Sequence, residues 1–364
     1  MRNAEWFYSV ASGMTEQAGH PKRIGFLSFG HWSPHQSSQV KTAADSLLQS
    51  IELAVAAEEL GIDGAFFRVH HFARQLASPF PLLAAAAART SRIELGTGVI
   101  DMRYENPLYL AEEAAAADLI SGGRLQLGLS RGSPETALNG SHAFGYVSPA
   151  GTSEEALARE KTTLFLRAIA GEPMVHADPR MGPDGVLAIQ PQSPGLRDRI
   201  WWGAGSSRTV PWVAEQGMNM MSSTLLLEDT GVPFHVLQAE QIRLFRDEWA
   251  RQGHPRTPRV SVSRSIQPIT SELDRQLFAR GDHLEDQVGL LDGVQSRFGR
   301  VYTGDPEVIA RELAADTAVQ AADTLLITIP NQLGVEYCAR MLESIAKYVA
   351  PSLGWVPNNA GASV

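Results

Sequence analysis

A chain of 364 residues, 44% hydrophobic and 20% charged, is long enough to bury a large core, and its length fits two ordinary domains or one α/β barrel with insertions. The formal net charge of −9 argues against a nucleic-acid partner, which needs clustered cations to displace counterions, but leaves room for one anionic ligand held by local arginines. A single cysteine, Cys338, excludes an intramolecular disulfide and suits a reducing cytoplasm; it sits in an apolar helical stretch and reads as inert filler.

Residues 1–23 include Trp6, Phe7, Tyr8 and Val10 but no continuous apolar segment of signal-peptide type. Short β-rich runs then alternate with alanine-rich helical runs. Strands are expected at residues 23–29, 64–69, 93–100, 125–130, 200–203, 218–222, 259–268 and 324–329. This alternation argues for a parallel sheet with helices outside it, and eight strands close a (β/α)8 TIM barrel. Strands buried on both faces read as apolar runs, a rule from which 259–268 departs with polar residues among its valines. Helices are expected at 43–60, stopping at Gly61; at 106–120, opening on Pro107 and ending before Gly122-Gly123; at 305–316, opening on Asp305-Pro306; and at 334–349, before Pro351. The apolar run 82–88 is too short to span a bilayer, so no membrane partner is expected. One domain covers 1–356, with a disordered tail at 357–364. The barrel carries extended loops after strands 4, 5 and 7, from the stretches 133–153, the Pro- and Gly-rich 171–199, and 272–300, which has room for a helix. The first and third read as lids.

The site of such a barrel lies at the C-terminal ends of its strands. The second strand runs Phe66-Phe67-Arg68-Val69 into His70-His71, the third ends Gly96-Thr97-Gly98, and the fourth ends Ser130-Arg131-Gly132. The fifth passes through Gly203-Ala204-Gly205 into Ser206-Ser207-Arg208-Thr209, and the seventh carries Ser261, Ser263, Arg264 and Ser265. Small residues followed by hydroxyls at a helix start make a phosphate cradle, because unpaired N–H groups and a partial positive charge gather there; an ordinary serine N-cap is the alternative. The turn lacks the lysine and glycine spacing of a P-loop. Arg131 follows the neighbouring strand and is within reach of that turn, where a guanidinium pairs naturally with phosphate. Successive imidazoles on an extended strand point to opposite faces, so one of His70 and His71 faces the site. No carboxylate or cysteine cluster accompanies them, and no metal is expected. No strand is followed by the G-x-G-x-x-G fingerprint, so a nicotinamide dinucleotide is not expected as the chain's own reductant.

Three segments resemble the bacterial-luciferase family of flavin-dependent monooxygenases. They are Leu60-Gly61-Ile62-Asp63-Gly64-Ala65 leading to His70-His71-Phe72; Thr90-Ser91-Arg92-Ile93-Glu94-Leu95-Gly96-Thr97-Gly98-Val99, continued by Asp118-Leu119-Ile120-Ser121-Gly122-Gly123-Arg124 and on to Gly132; and Gly205-Ser206-Ser207. Thr303-Gly304-Asp305-Pro306-Glu307 and Asp323-Thr324-Leu325-Leu326-Ile327 are also similar to that family. The resemblance implies flavin mononucleotide (FMN) in the barrel mouth, or in another branch the deazaflavin coenzyme, with phosphate contacts from Arg131, Ser206 and Thr209 and a catalytic base at His70. Ser130 stands where luciferase itself has a reactive cysteine, and Val69 where a glutamate commonly precedes the histidine pair. Cofactor contacts are expected from Thr97, Gly98, Ser130, Arg131, Gly132, Gly203, Ala204, Gly205, Ser206, Ser207, Arg208 and Thr209. Substrate walls are expected from Phe29, His31, Trp32, Met102, Tyr104, Phe144 and Arg264. The implied enzyme is a two-component monooxygenase and homo-oligomer, taking reduced FMN from a separate flavin reductase and using O2 on a small organic substrate. A deazaflavin-dependent dehydrogenase or reductase and a non-catalytic flavin-binding barrel are the alternatives.

Overall fold

Each β-rich run forms a strand, and each strand hydrogen-bonds in parallel to the next in sequence. The computed structural model describes residues 22–132, 137–149, 151–227, 231–278, 286–291 and 294–359; Trp6, Phe7, Tyr8, Val10 and parts of the three long stretches and of the tail lie outside the described residues. The barrel strands are β1 (Arg23–Ser28), β2 (Gly64–Phe67), β3 (Glu94–Thr97), β4 (Leu125–Ser130), β5 (Ile200–Ala204), β6 (Asn219–Ser222), β7 (Val260–Pro268) and β8 (Thr324–Thr328). The ring closes where Met220 and Met221 of β6 pair with Val260 and Ser261 of β7, and where β8 lies between β7 and β1. The departure from apolar runs in β7 has a simple cause. Val260, Val262 and Ile266 join the core against the helices, while the serines alternate with them, and Ser263 and Ser265 face the barrel mouth.

The helices are α1 (Ala43–Glu59), α2 (Pro79–Arg89), α3 (Pro107–Ser121), α4 (Glu154–Ile169), α5 (Val210–Glu215), α6 (Phe234–Gln252), α7 (Pro306–Ala315) and α8 (Val335–Ser344). α1 starts in a capping box, where Thr42 and Asp45 each accept the other's backbone N–H, and the chain leaves it at Gly61, whose φ of +79° suits a residue without Cβ. The Gly61 carbonyl accepts the Asn358 N–H at 2.9 Å, so the C-terminal segment packs back on this turn. No helix among the described residues is long and apolar enough to cross a membrane.

Two apolar layers result. The outer one lies between strands and helices and includes Ile24, Phe26, Leu83, Leu127, Phe165 and Leu342. The inner one fills the barrel with Leu27, Phe66, Trp201, Met221 and Leu326, joined by Phe29 and Val99. Beneath it, at the N-terminal strand ends, Glu94 receives both arms of Arg259 at 2.9 and 3.0 Å and Arg23 at 2.8 Å. Gln126 bridges Glu94 and the Trp201 indole N–H, joining the floor to the inner apolar layer.

The long stretches emerge at different ends. The extension expected after strand 5 instead precedes it: residues 171–199 join α4 to β5, so their hairpin, Pro173–His176 against Val186–Ala188, emerges at the floor end of the barrel rather than at the mouth. After β7 come the helix Glu272–Phe278 and a hairpin, Gln287–Leu291 with Val294–Phe298, whose second strand pairs with Leu225–Leu226 just beyond β6. The strand Val301–Gly304 then returns parallel to β7.

Candidate active site

Two adjoining chambers open at the C-terminal ends of the strands. The inner one, of about 370 Å³, rests on Leu27, Val99, Met221 and Leu326 of the inner apolar layer. It is edged by Ser130 at the end of β4, by Arg131 and Gly132 just after it, and by Gly203 and Gly205 of and after β5. The outer one, of about 400 Å³, is lined by Phe29, His31, Gln75, Phe234, Ser265 and Arg300, among others. Arg68, His70, Thr224, Leu225 and Ser263 line both. Both volumes fall in the range of roughly 300–1,000 Å³ usual for small-molecule sites.

The inner chamber owes its shape to backbone. A side chain at Gly205 would meet nothing within 4 Å, so the main chain there lies open. Gly132 sits at φ +88°, and a Cβ on it would lie 2.1 Å from the Asp101 carboxylate, so no other residue fits. Its N–H donates to Ser130 Oγ at 2.9 Å. Arg103 engages Asp101 at 2.7 Å and Glu154 at 2.8 Å, which occupies the nearby carboxylates. Arg131 is exposed and forms no ion pair among the described residues, leaving its guanidinium available to an anion at this end.

The neighbouring turn is less direct than the sequence suggests. Gly203 and Gly205 reach the chamber, but Ala204 is fully buried, and Ser206, Ser207, Arg208 and Thr209 do not line it. Arg208 points to solvent, 3.9 Å from Glu155. Ser207–Thr209 is one tight turn ahead of α5, whose N-terminus therefore stands behind Gly205.

The two histidines lie beyond the last residue of β2, in the turn that follows it, and their rings separate there. His70 lines both chambers, its own N–H tied to the Leu76 carbonyl at 2.8 Å. His71 lines neither: it stacks on Tyr104 with ring centres 4.2 Å apart and meets Phe144 edge-on at 5.1 Å. Its Nε2 is buried with no hydrogen-bond partner among the described residues, and burial pushes its pKa down, favouring the neutral ring. Phe72, Tyr104 and Phe144 complete this aromatic clasp, which pins the loop after β4 to the end of β2.

Several expected site residues are corrected by their surroundings. Thr97 is fully buried in the barrel wall, donating to the Gly128 carbonyl at 2.8 Å and accepting the Gly128 N–H at 2.9 Å. Met102 is buried in the outer core, because the tight turn Met102–Tyr104 swings it away from the mouth. Tyr104 and Phe144 serve the aromatic clasp, and Trp32 lies under the Arg74 guanidinium at 5.3 Å, outside both chambers. Gly98, Ser130, Arg131, Gly132, Phe29 and His31 do line the chambers. Arg264 lines the outer one too, but its guanidinium is engaged by Asp316 at 2.8 and 3.1 Å.

Arg68 escaped the sequence reading, although a cation inside the apolar run Phe66-Phe67-Arg68-Val69 is itself a signal. Its guanidinium lies 4.8 Å over the Phe29 ring, which stacks in turn on His31. Burial and the Arg68 charge hold the His31 pKa below its usual value. Cys338 is buried, and its thiol is pushed up to about 12, so it is unreactive. Among the described residues no three His, Cys, Asp or Glu side chains gather to hold a metal ion.

Fold and site together define an α/β barrel with a blind, two-chambered mouth built to enclose small molecules. The luciferase-like monooxygenase model matches residues 24–285, well over half of the chain, and the protein belongs to that family. The alkanal monooxygenase alpha chain of Photobacterium leiognathi is 25% identical over 236 residues, 64% of this chain and 61% of that one. The chain spans about half the length of the curated relatives it matches. Among solved structures, the oxygenating constituent of 3,6-diketocamphane monooxygenase from Pseudomonas putida, in complex with FMN, superposes with a TM-score of 0.68 at 17% identity, covering 91% of this chain and 99% of that one. The coenzyme F420 dependent tetrahydromethanopterin reductase of Methanopyrus kandleri gives a TM-score of 0.61 at 13% identity, covering 92% and 100%. At these identities the two structural likenesses establish the shared barrel fold.

Proposed function

We propose that this chain is the oxygenase of a two-component flavin monooxygenase, using reduced FMN from a separate flavin reductase, and O2, to oxidise a small organic substrate. The observation that carries this reading is the meeting of two chambers at one imidazole, His70. The inner chamber suits FMN in chemistry as well as size. Leu27, Val99, Met221 and Leu326 offer an apolar bed for a flat ring system, and Arg131, the Ser130–Gly132 backbone and Gly205 offer a polar end for a phosphate. The turn at Ser206–Thr209 would add backbone N–H groups behind Gly205. When bound, the flavin supplies the redox chemistry with oxygen.

The chain's own residues do the rest. The inner apolar layer underlies the bed, and Leu225, on the strand that pairs with the hairpin after β7, lines both chambers. His70 stands between cofactor and substrate, where an imidazole can take or give a proton near neutral pH. The test is an anaerobic titration of the full chain with reduced FMN and, separately, with the reduced deazaflavin coenzyme, followed by admission of oxygen. Binding of reduced FMN with oxygen uptake at the protein supports the proposal. Binding of the deazaflavin alone would move the chain to hydride transfer, and binding of neither would end both readings. The chain should also oxidise NADH with FMN no faster than free FMN does, until a reductase is added.

A further inference from the structure

We infer that Glu154 is an internal stand-in for the cofactor phosphate: it holds Arg103 until the phosphate arrives, then yields its place. This deepens the flavin reading of the inner chamber and rests on it. Among the described residues, Asp101, Arg103, Arg131 and Glu154 are the charged side chains at the polar end of that chamber. Two charges of each sign cancel there. A phosphate monoester brings roughly −1.5 to −2 at neutral pH. With both carboxylates in place, repulsion from them offsets what the two guanidiniums offer, so one carboxylate has to leave.

The geometry points to which one. Arg103 stands on the tight turn Met102–Tyr104, with its guanidinium against the backbone of Gly132: a Cβ on that glycine would lie 2.5 Å from Nη2. One edge of the guanidinium, Nε and Nη2, is given to Asp101 at 3.0 and 2.7 Å. Asp101 is buried and also accepts the Arg103 backbone N–H at 2.9 Å, so it is fixed. The remaining nitrogen, Nη1, donates to Glu154 at 2.8 Å. Glu154 opens α4, and 56% of its side chain is exposed. An ion pair so open to water holds weakly, and a carboxylate on the first turn keeps the favourable field of the helix after it swings out. Asp101 therefore aims the guanidinium, and Glu154 is the partner that exchanges. The Nη1 it releases belongs to a cation packed on the segment that carries Arg131, where the phosphate is read to lie. Glu155 supplies a natural control. It has the same charge on the same turn, but it pairs with Arg159 at 2.6 Å instead.

The experiment compares reduced FMN with reduced riboflavin, which has the same rings and no phosphate, in anaerobic titrations of the full-length chain. Glu154→Gln should tighten FMN about threefold or more, the order of an exposed ion pair, and leave riboflavin where it was. Arg103→Gln should weaken FMN about tenfold or more, again sparing riboflavin, and Glu154→Gln should add nothing in that background. Glu155→Gln should move FMN less than Glu154→Gln does. Unchanged or weaker FMN binding in Glu154→Gln overturns the inference. An equal gain for riboflavin overturns it as well, by making Glu154 a simple obstruction. So does an equal gain in Glu155→Gln, or one that persists with Arg103→Gln, since either reports only the distant field of a carboxylate. If Arg103→Gln does not fold, Glu154→Gln against Glu155→Gln decides alone. Should the chain bind neither flavin, inorganic phosphate takes their place, read by its shift of the melting temperature. A shift that grows in Glu154→Gln keeps the exchange and ends the monooxygenase reading; a shift equal in parent and variant, or none, ends the exchange too.

Discussion

At the scale of single residues, the division between His70 and His71 has the clearest consequences. His70→Ala should keep FMN affinity and thermal stability while turnover falls by ~10²–10⁴, the usual weight of acid–base catalysis. His71→Ala should do the reverse in kind. It removes a ring stacked at 4.2 Å on Tyr104 and so costs stability, with turnover per folded molecule little changed. A larger turnover loss in His71→Ala, measured against folded protein, would exchange the two roles. Arg131→Ala should weaken reduced-FMN binding by about 1.5–3 kcal/mol in fluorescence titration, the range for a hydrogen bond to a charged group. Unchanged affinity would move the phosphate elsewhere. The sequence pointed to these positions because strand ends in a barrel converge, but direction beyond the last paired residue was hidden from it. Thr97 and Gly98 are neighbours, yet one is spent inside the wall and the other edges the chamber. The pairing of Arg264 with Asp316 spans 52 residues, and no local pattern announces it.

At the scale of elements, the strands were legible because burial on both faces leaves unbroken apolar runs, and several helices because proline and glycine punctuate them. The two elements that shape the mouth were less so. A hairpin after β7 paired to a two-residue strand after β6 depends on register between distant segments, which short polar stretches do not encode strongly. The loop after β4 is held by aromatic contacts from the ends of other strands rather than by its own hydrogen bonds alone. Phe144→Ala should therefore speed hydrogen exchange across residues 137–149 while the melting temperature moves little, since an aromatic contact contributes about 0.5–1.5 kcal/mol. Equal exchange in the two proteins would mean that the clasp does not order the loop.

At the scale of the whole molecule, stability carries a pH signature from one partly buried pair. Burial, with Glu113 adding to it against the pull of Lys161, raises Glu105 from 4.5 to about 7. Burial lowers Lys161, which donates to the Arg103 carbonyl at 2.9 Å, from 10.5 to about 8. A carboxyl that holds its proton more tightly when folded contributes stability at pH below 4.5 and loses it as pH rises through about 7. The lysine works in the other direction, its contribution present at high pH and lost as pH falls through about 8. Glu105→Gln should therefore remove a decline in unfolding free energy on the order of 2 kcal/mol between pH 4.5 and 7, seen as the parent-minus-variant difference in urea melts. A difference that stays flat across that interval would show that Glu105 ionises freely.

The two chambers share Arg68, His70, Thr224, Leu225 and Ser263, so a guest in one forms part of the wall of the other. Two tenants behind one partition do not come and go independently. Reduced FMN should therefore dissociate more slowly when a small molecule that fills the outer chamber is present in excess, and stopped-flow displacement would register that retention directly. Flavin release that ignores the second guest would mean that the inner chamber empties through its own opening beside Arg131.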